Sequence, residues 1–324
     1  MPAPETRTPL EMMTYVKDRE NKIATLTIDR PTIMNAPDSA MRMRYAELLH
    51  RANIDDDVKV LVIRGTGDHF GTGADLPEQQ IKMNGDVNGE GADPLFELGY
   101  SGDPDITYPP RGSFRHGYNI GSHYSSVRGG CRSLQEFKKI SIVECKGYVY
   151  GWHFYQAGDA DLVISSDDAL FGHAAFRYVG WGPRLWTWVE TMGLRQFQEM
   201  VFTGRPFTAQ QMMACGFLNS VVRRDELEAE VMKYAMACAH NGPTDRIAVQ
   251  KTFFELYKQY NGEYFGSVLT GLIESMGNQV RPDEGEYSFN SDMMHSGLAK
   301  SVKEADKHFP PEWRLSMAGR RANS

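Results

Sequence analysis

The sequence predicts an α/β fold, a core of strand–helix–strand crossover units followed by a helical C-terminal region. Three observations carry this. Short β-branched, apolar runs at 22–29, 58–64 and 162–165 read as strands, and a helical stretch between the first two is the connection that parallel strands require. From Trp186 onward the apolar spacing becomes helical. The composition, 41% hydrophobic and 24% charged over 324 residues, is that of an ordinary globular chain.

In chain order, 22–29 (KIATLTID) alternates apolar and polar residues and stops at Arg30-Pro31. Asp38 or Ser39 can cap a helix running through Met41, Tyr45 and Leu48 to about Ala52. The dense run 58–64 (VKVLVIR) predicts a buried strand, punctuated by Gly65-Thr66-Gly67 and then by Gly71-Thr72-Gly73-Ala74-Asp75. Residues 84–125 are crowded with Gly, Pro, Asp and Tyr and show no sustained period. They predict an irregular insertion, although Tyr100, Tyr108, Phe114, Tyr118 and Tyr124 argue against simple disorder. A helix is expected over 125–139, one strand over 141–150 ending at Gly151, and a short strand at 162–165. Helices are expected near 186–192, 196–202, 209–215, 224–241 and 245–260. Residues 1–200 are thus the expected core, with the insertion at 84–125, and 201–324 a helical region and tail. Pro310-Pro311 stops a helix, and the weakly basic tail beyond it would dock on a neighbouring subunit or stay disordered.

Several function classes are poor matches. No window approaches 18 uninterrupted apolar residues, as a membrane-spanning helix would need. The first residues lack an apolar stretch behind basic ones, so no secretory signal is expected and the reading is cytoplasmic. A net charge of −7 without a basic block disfavours nucleic acid as partner. Cys131, Cys145, Cys215 and Cys238 are scattered, so neither a disulfide frame nor a metal site is expected.

Two glycine-rich turns point to chemistry. One is Phe70-Gly71-Thr72-Gly73-Ala74-Asp75-Leu76, after the buried strand; the other is Gly147-Tyr148-Val149-Tyr150-Gly151-Trp152, where a strand gives way to a helix. Unpaired amides at a helix start favour negative charge, and two of them converging from separate turns make an oxyanion hole. If Trp152 begins the helix, Tyr155 and Asp159 lie on its face at i+3 and i+7, whereas His153 falls off it. Tyr155 is then the first candidate for proton transfer, followed by His153 and His173. Each has a plainer reading: a core aromatic, a loop-orienting imidazole, a packing histidine. Arg177 could clamp an anionic substrate group or form a salt bridge. His116 and His123 could reach the site from the insertion. Trp152, Trp181, Trp186 and Trp188 suggest a bulky apolar wall suited to a cyclic or aromatic substrate, or ordinary packing.

Taken in order, KIATLTIDRP with Asn35-Ala36, DDDVKVLVIRGTGDHFGTGADL, KGYVYG leading into DADLVISSDDALFG, and FTGRPFTAQQMMACGFLNSVV resemble the crotonase (enoyl-CoA hydratase/isomerase) superfamily over about residues 14–260. The resemblance implies a crotonase-like spiral of ββα turns closed by C-terminal helices, assembled as a homotrimer or hexamer. It implies an acyl-CoA thioester substrate, with coenzyme A as part of the substrate and no tightly bound cofactor. The enolate would be held by the backbone amides of Ala74 and Trp152. Met34, Ala36, Asp75 and Leu76 would lie along the CoA path. The chain departs from the family where its two catalytic glutamates would stand, at Tyr155 and at Ala175 or Phe176, and Gly151-Trp152-His153 replaces a run of small residues. A partial likeness to 6-oxocamphor hydrolase aligns a histidine with His153, while that enzyme's second histidine and aspartate fall near Phe176 and Leu185. The functional readings are therefore an acyl-CoA lyase, isomerase or hydrolase, a CoA-independent hydrolase of cyclic β-diketones, and a silent scaffold.

Overall fold

The structure, a computed structural model, describes residues 7–75, 78, 95, 98, 103–110, 113–178, 180–276, 283–286 and 298–321. Its strands are β1 (Met13–Asp18), β2 (Ile23–Ile28), β3 (Val60–Gly65), β4 (Ile140–Cys145), β5 (Tyr148–Tyr150), β6 (Leu162–Ser166), β7 (Leu170–Gly172), β8 (Phe207–Thr208) and β9 (Ser220–Val222). The helices are α1 (Pro9–Met12), α2 (Ser39–Ile54), α3 (Phe114–Tyr124), α4 (Trp152–Asp159), α5 (Ala175–Tyr178), α6 (Leu185–Met192), α7 (Leu194–Thr203), α8 (Ala209–Ala214), α9 (Leu227–His240), α10 (Thr244–Tyr260), α11 (Glu263–Met276), α12 (Leu298–Lys307) and α13 (Met317–Arg321).

A six-stranded sheet runs β1-β2-β3-β4-β6-β9, antiparallel at β1/β2 and parallel elsewhere. A smaller sheet holds β5-β7-β8, and Gly71 bridges to Val149 at its margin. Successive turns of chain place one strand in each sheet and then a helix, as β4-β5-α4 and β6-β7-α5 do. That is the spiral of ββα turns expected from the family resemblance. The large sheet is covered on both faces, which is why its strands read as unbroken apolar runs. Val60 and Val62 of β3 pack with Ile142, Ile164 and the Leu227, Val231 and Ala235 stripe of α9. Leu61 and Ile63, alternating with them, face the main core beside Tyr45, Trp152 and Phe154. The main core also takes Phe207, Met212, Phe217 and Leu218 from beyond residue 200.

Five expectations are corrected. The single strand over 141–150 is two strands in two sheets, because Lys146-Gly147 turns the chain with Gly147 at φ 55°. The helix expected over 125–139 is absent: Gly129-Gly130 interrupts it, with Gly130 at φ 72°, and only a 3-10 turn, Ser133–Glu136, forms. The irregular reading of 84–125 gives way at its end to α3, whose start is capped by Ser113 accepting the His116 amide. This helix lies so close to α11 that a side chain on Gly121 would meet the Gly271 carbonyl at 2.6 Å, so tertiary contact overrides its glycines. Most of 84–112, with Leu76 and Tyr100, lies outside the described residues. The tail docks on its own chain: the Tyr150 hydroxyl donates to the Leu315 carbonyl (2.9 Å), and the Met317 amide donates to the Tyr148 hydroxyl (2.6 Å). Beyond Trp186 the chain is also not purely helical, since β8 and β9 complete the two sheets. Among the described residues no helix is long and apolar enough to cross a membrane, and no three His, Cys, Asp or Glu side chains are grouped to hold a metal.

Candidate active site

The first wall is built by the loop after β2 and the turn after β3. Met34 and Asn35 adopt left-handed backbone at φ 54° and 57°. The fully buried Asn35 side chain takes the Arg30 amide and donates to the Thr66 and His69 carbonyls, each at 2.9 Å. Its amide group thus splices the two loops together, as a buried polar side chain must if it is to be satisfied. The Thr72 amide donates to the Met34 carbonyl and the Asp75 amide to that of Pro37. Ala36 is buried, Met34 is exposed, and both flank the 72–75 turn. Asp75 was expected along the CoA path, but its carboxylate is committed to Arg30 at 2.8 Å and to the Glu78 amide at 3.2 Å. Only its backbone remains for a ligand.

The second wall is the start of α4. Gly151, at φ 54°, precedes a helix that begins at Trp152, and its amide donates to the Gly172 carbonyl. Gly73, at φ 97°, packs directly on it: a Cβ on Gly73 would stand 3.2 Å from Gly151 Cα and 3.5 Å from the Trp152 nitrogen. Two glycines are required here because both the backbone angle and the close approach exclude a side chain. Neither the Ala74 nor the Trp152 amide has an acceptor among the described residues. Two free N–H groups from separate turns are thereby brought to one place at the positive end of a helix.

Tyr155, one turn into α4, brings its hydroxyl to 3.5 Å from His173 Nε2. The donor in this pair follows from the imidazole tautomer. His173 Nδ1 has no partner and lies 3.8 Å from where a Cβ on Gly151 would stand. Burial pushes the His173 imidazole down to about 4, the Trp181 backbone opposing, so the ring is neutral at pH 7. Trp188 backs the pair, with ring centroids 5.3 Å from Tyr155 and 5.5 Å from His173, and Phe176 meets His173 edge-on at 4.9 Å. Two of the other expected wall tryptophans are used in packing. Trp152 Nε1 donates to the Gly130 carbonyl (2.7 Å) and Trp186 Nε1 to that of Asn261 (3.0 Å).

His153 is wholly buried and accepts the Gly73 amide on Nδ1 at 3.2 Å. Desolvation drives it down to about 3. Its ring packs among Phe70, Trp152 and Gly71. Arg177, expected near an anionic substrate group, is held by the C-terminal segment. It pairs with Asp306 (2.9 Å), donates to the Gly204 (3.0 Å) and Trp313 (2.5 Å) carbonyls, and stacks on Phe309 at 3.5 Å. His116 and His123 both sit on α3, the first against Tyr108 and the second against Tyr124. Asp159 joins Arg184 at 2.5 Å in a buried network with Glu263 and Arg132 that the spacing of the sequence did not reveal. Burial raises the Asp159 carboxyl against the pull of Arg184.

The enoyl-CoA hydratase/isomerase family model matches residues 18–98 and 120–290. The chain belongs to that family. It is therefore a member of the crotonase superfamily, as the motif order indicated. Among its relatives is the putative enoyl-CoA hydratase EchA13 of Mycobacterium tuberculosis, 25% identical over 234 residues, covering 71% of this chain and 69% of that one. The mevalonyl-coenzyme A hydratase sidH of Aspergillus fumigatus is 27% identical over 299 residues, covering 91% and 92%. An enoyl-CoA hydratase structure from Mycobacterium smegmatis shares the fold with a TM-score of 0.74 at 21% identity, covering 95% of this chain and 97% of that one.

Proposed function

We propose that this protein is an enzyme acting on an acyl-CoA thioester. The thioester oxygen sits between the Ala74 and Trp152 amides, and the Tyr155 hydroxyl, paired with neutral His173, moves one proton to or from the enolate. The observation that carries this reading is the pair of acceptor-free amides joined by the Gly73–Gly151 contact, with the Tyr155–His173 pair one helical turn away. Amides fixed in this way stabilise developing negative charge without reorganising during the reaction. Relatives named for CoA substrates support the same substrate class. A linked pair supplies one proton relay, which suits isomerase or lyase chemistry through an enolate better than water addition by two carboxylates. The sealed His153 counts against the cyclic diketone reading, which needs an imidazole able to meet water. Met34, Ala36 and the backbone of Asp75 are the proposed CoA-path contacts. We include assembly as a homotrimer or hexamer in the proposal, supported by the exposed apolar face of α10 and α11.

Isothermal titration with CoA and a series of acyl-CoA thioesters tests the reading. Binding of at least one thioester is expected, and absence of binding by all of them removes it. For a thioester that is turned over, Tyr155→Phe should lower kcat by about 100-fold or more with little change in KM.

A further inference from the structure

His153 is the buried titratable group beside the two free amides that this proton transfer leaves unused. Its ring is enclosed by Phe70 edge-on at 4.8 Å, by Trp152 at 5.0 Å and by Gly71, where any side chain would overlap the imidazole. The backbones of Asn35 and Tyr150 also face the ring, and the Phe70 and Trp152 side chains that pack on it are not ionisable. Only an unprotonated ring nitrogen can accept an amide N–H, so the Gly73 bond to Nδ1 requires the neutral tautomer with its proton on Nε2. Gly73 is the residue immediately before Ala74, and at φ 97° it is free of the side-chain restraint that would otherwise fix its backbone. Without an acceptor its N–H would be a third unpaired donor beside the hole, and the next peptide could rotate.

We infer that His153 is a positioning residue: its Nδ1 anchors the Gly73 amide and so fixes the peptide that presents the Ala74 N–H to the substrate oxygen, and it exchanges no proton in the reaction. This rests on the acyl-CoA reading for the identity of that oxygen, whereas the tautomer and the Gly73 bond do not. The full chain labelled with 15N in its histidine rings gives a direct readout. Long-range proton–nitrogen spectra should show His153 as the Nε2–H tautomer, unchanged between about pH 5 and 8. A proton on Nδ1, or titration in that range, overturns the inference.

Three variants separate positioning from bulk. Asparagine places its Oδ1 where Nδ1 stands; glutamine places its carbonyl near Nε2 instead. For a thioester that the wild type turns over, His153→Asn should keep kcat within about threefold. His153→Gln and His153→Ala should lower it by about 100-fold with KM little changed, the usual loss for one oxyanion donor. Equal losses in all three variants, or no loss in His153→Ala, overturn it. If no thioester binds, the acyl-CoA reading fails separately. Hydrogen exchange at Gly73 still decides the role of His153: slow exchange in the wild type and His153→Asn with fast exchange in His153→Ala supports it, and equal exchange in all three overturns it.

Discussion

His153 and His173 are both buried at the candidate site but differ in surroundings: one ring is bonded to a backbone amide, the other faces a tyrosine hydroxyl. Both are pushed below the ordinary imidazole range by burial, to about 3 and about 4. The unfolded chain takes up a proton at each near pH 6.5, and the folded chain refuses it. Their contribution to stability is therefore fully present above about pH 6.5 and is lost as pH falls towards about 4. Going from pH 7 to 5 should cost about 2 kcal/mol per histidine. Urea denaturation at the two pH values checks this, and His173→Asn should show a visibly shallower loss than the wild type. Of these residues, Tyr155 and its face of the helix were legible from spacing to the glycine turn. For His153 a loop-orienting reading was open, but its partner was not legible, since the contact depends on Gly71 and Gly73, 80 or so residues away, leaving room for one ring.

The elements are set as much by contact as by propensity. The start of α11 carries Glu263, which is buried and accepts from Arg132 (2.6 and 3.0 Å), Arg184 (3.1 Å) and Ser267 (2.7 Å). These guanidinium groups hold its carboxyl down to about 2, against desolvation. The network ties α11 to the end of α4 through Arg184 and Asp159, so one carboxylate fixes two helices near the candidate site. Glu263→Gln leaves two buried guanidinium groups short of a charge and should destabilise the fold by about 3 kcal/mol in urea denaturation. A loss under about 1 kcal/mol would show that the network is not holding α11. No local pattern announces such a network, because its members are 79 and 131 residues apart in sequence. The same holds for α3: Gly117 and Gly121 spoil a helix in isolation, yet Gly121 is what lets α3 approach α11.

At the scale of the molecule the outstanding feature is apolar surface. Val249, Phe253, Leu256, Tyr257 and Tyr260 of α10 are each more than half exposed, and Phe265 and Leu269 continue the face onto α11. A contiguous apolar face of this kind is the mark of a surface meant to be covered. The proposed homotrimer or hexamer would cover it with further copies. Sedimentation should give a mass of three or six chains, and Phe253→Glu with Tyr257→Glu should shift it towards one. A wild-type monomer at micromolar concentration would remove the assembly from the proposal. The C-terminal tail, by contrast, is satisfied within its own chain through Asp306, which pairs with Arg177 and accepts the Leu315 amide.

What the sequence determined alone is whatever depends on neighbours along the chain: β-branched runs that must be buried strands, capped helices, and two glycine turns in family order. These depend on local sterics and period, which a string of residues records. What the tertiary structure decided depends on which distant residues share a space. It joined Gly73 to Gly151, gave Nδ1 of His153 to a backbone amide, removed Arg177 to the tail and set Tyr155 against His173. Each of these is a contact across 18 to more than 100 residues, fixed by close packing and the need to satisfy buried polar groups.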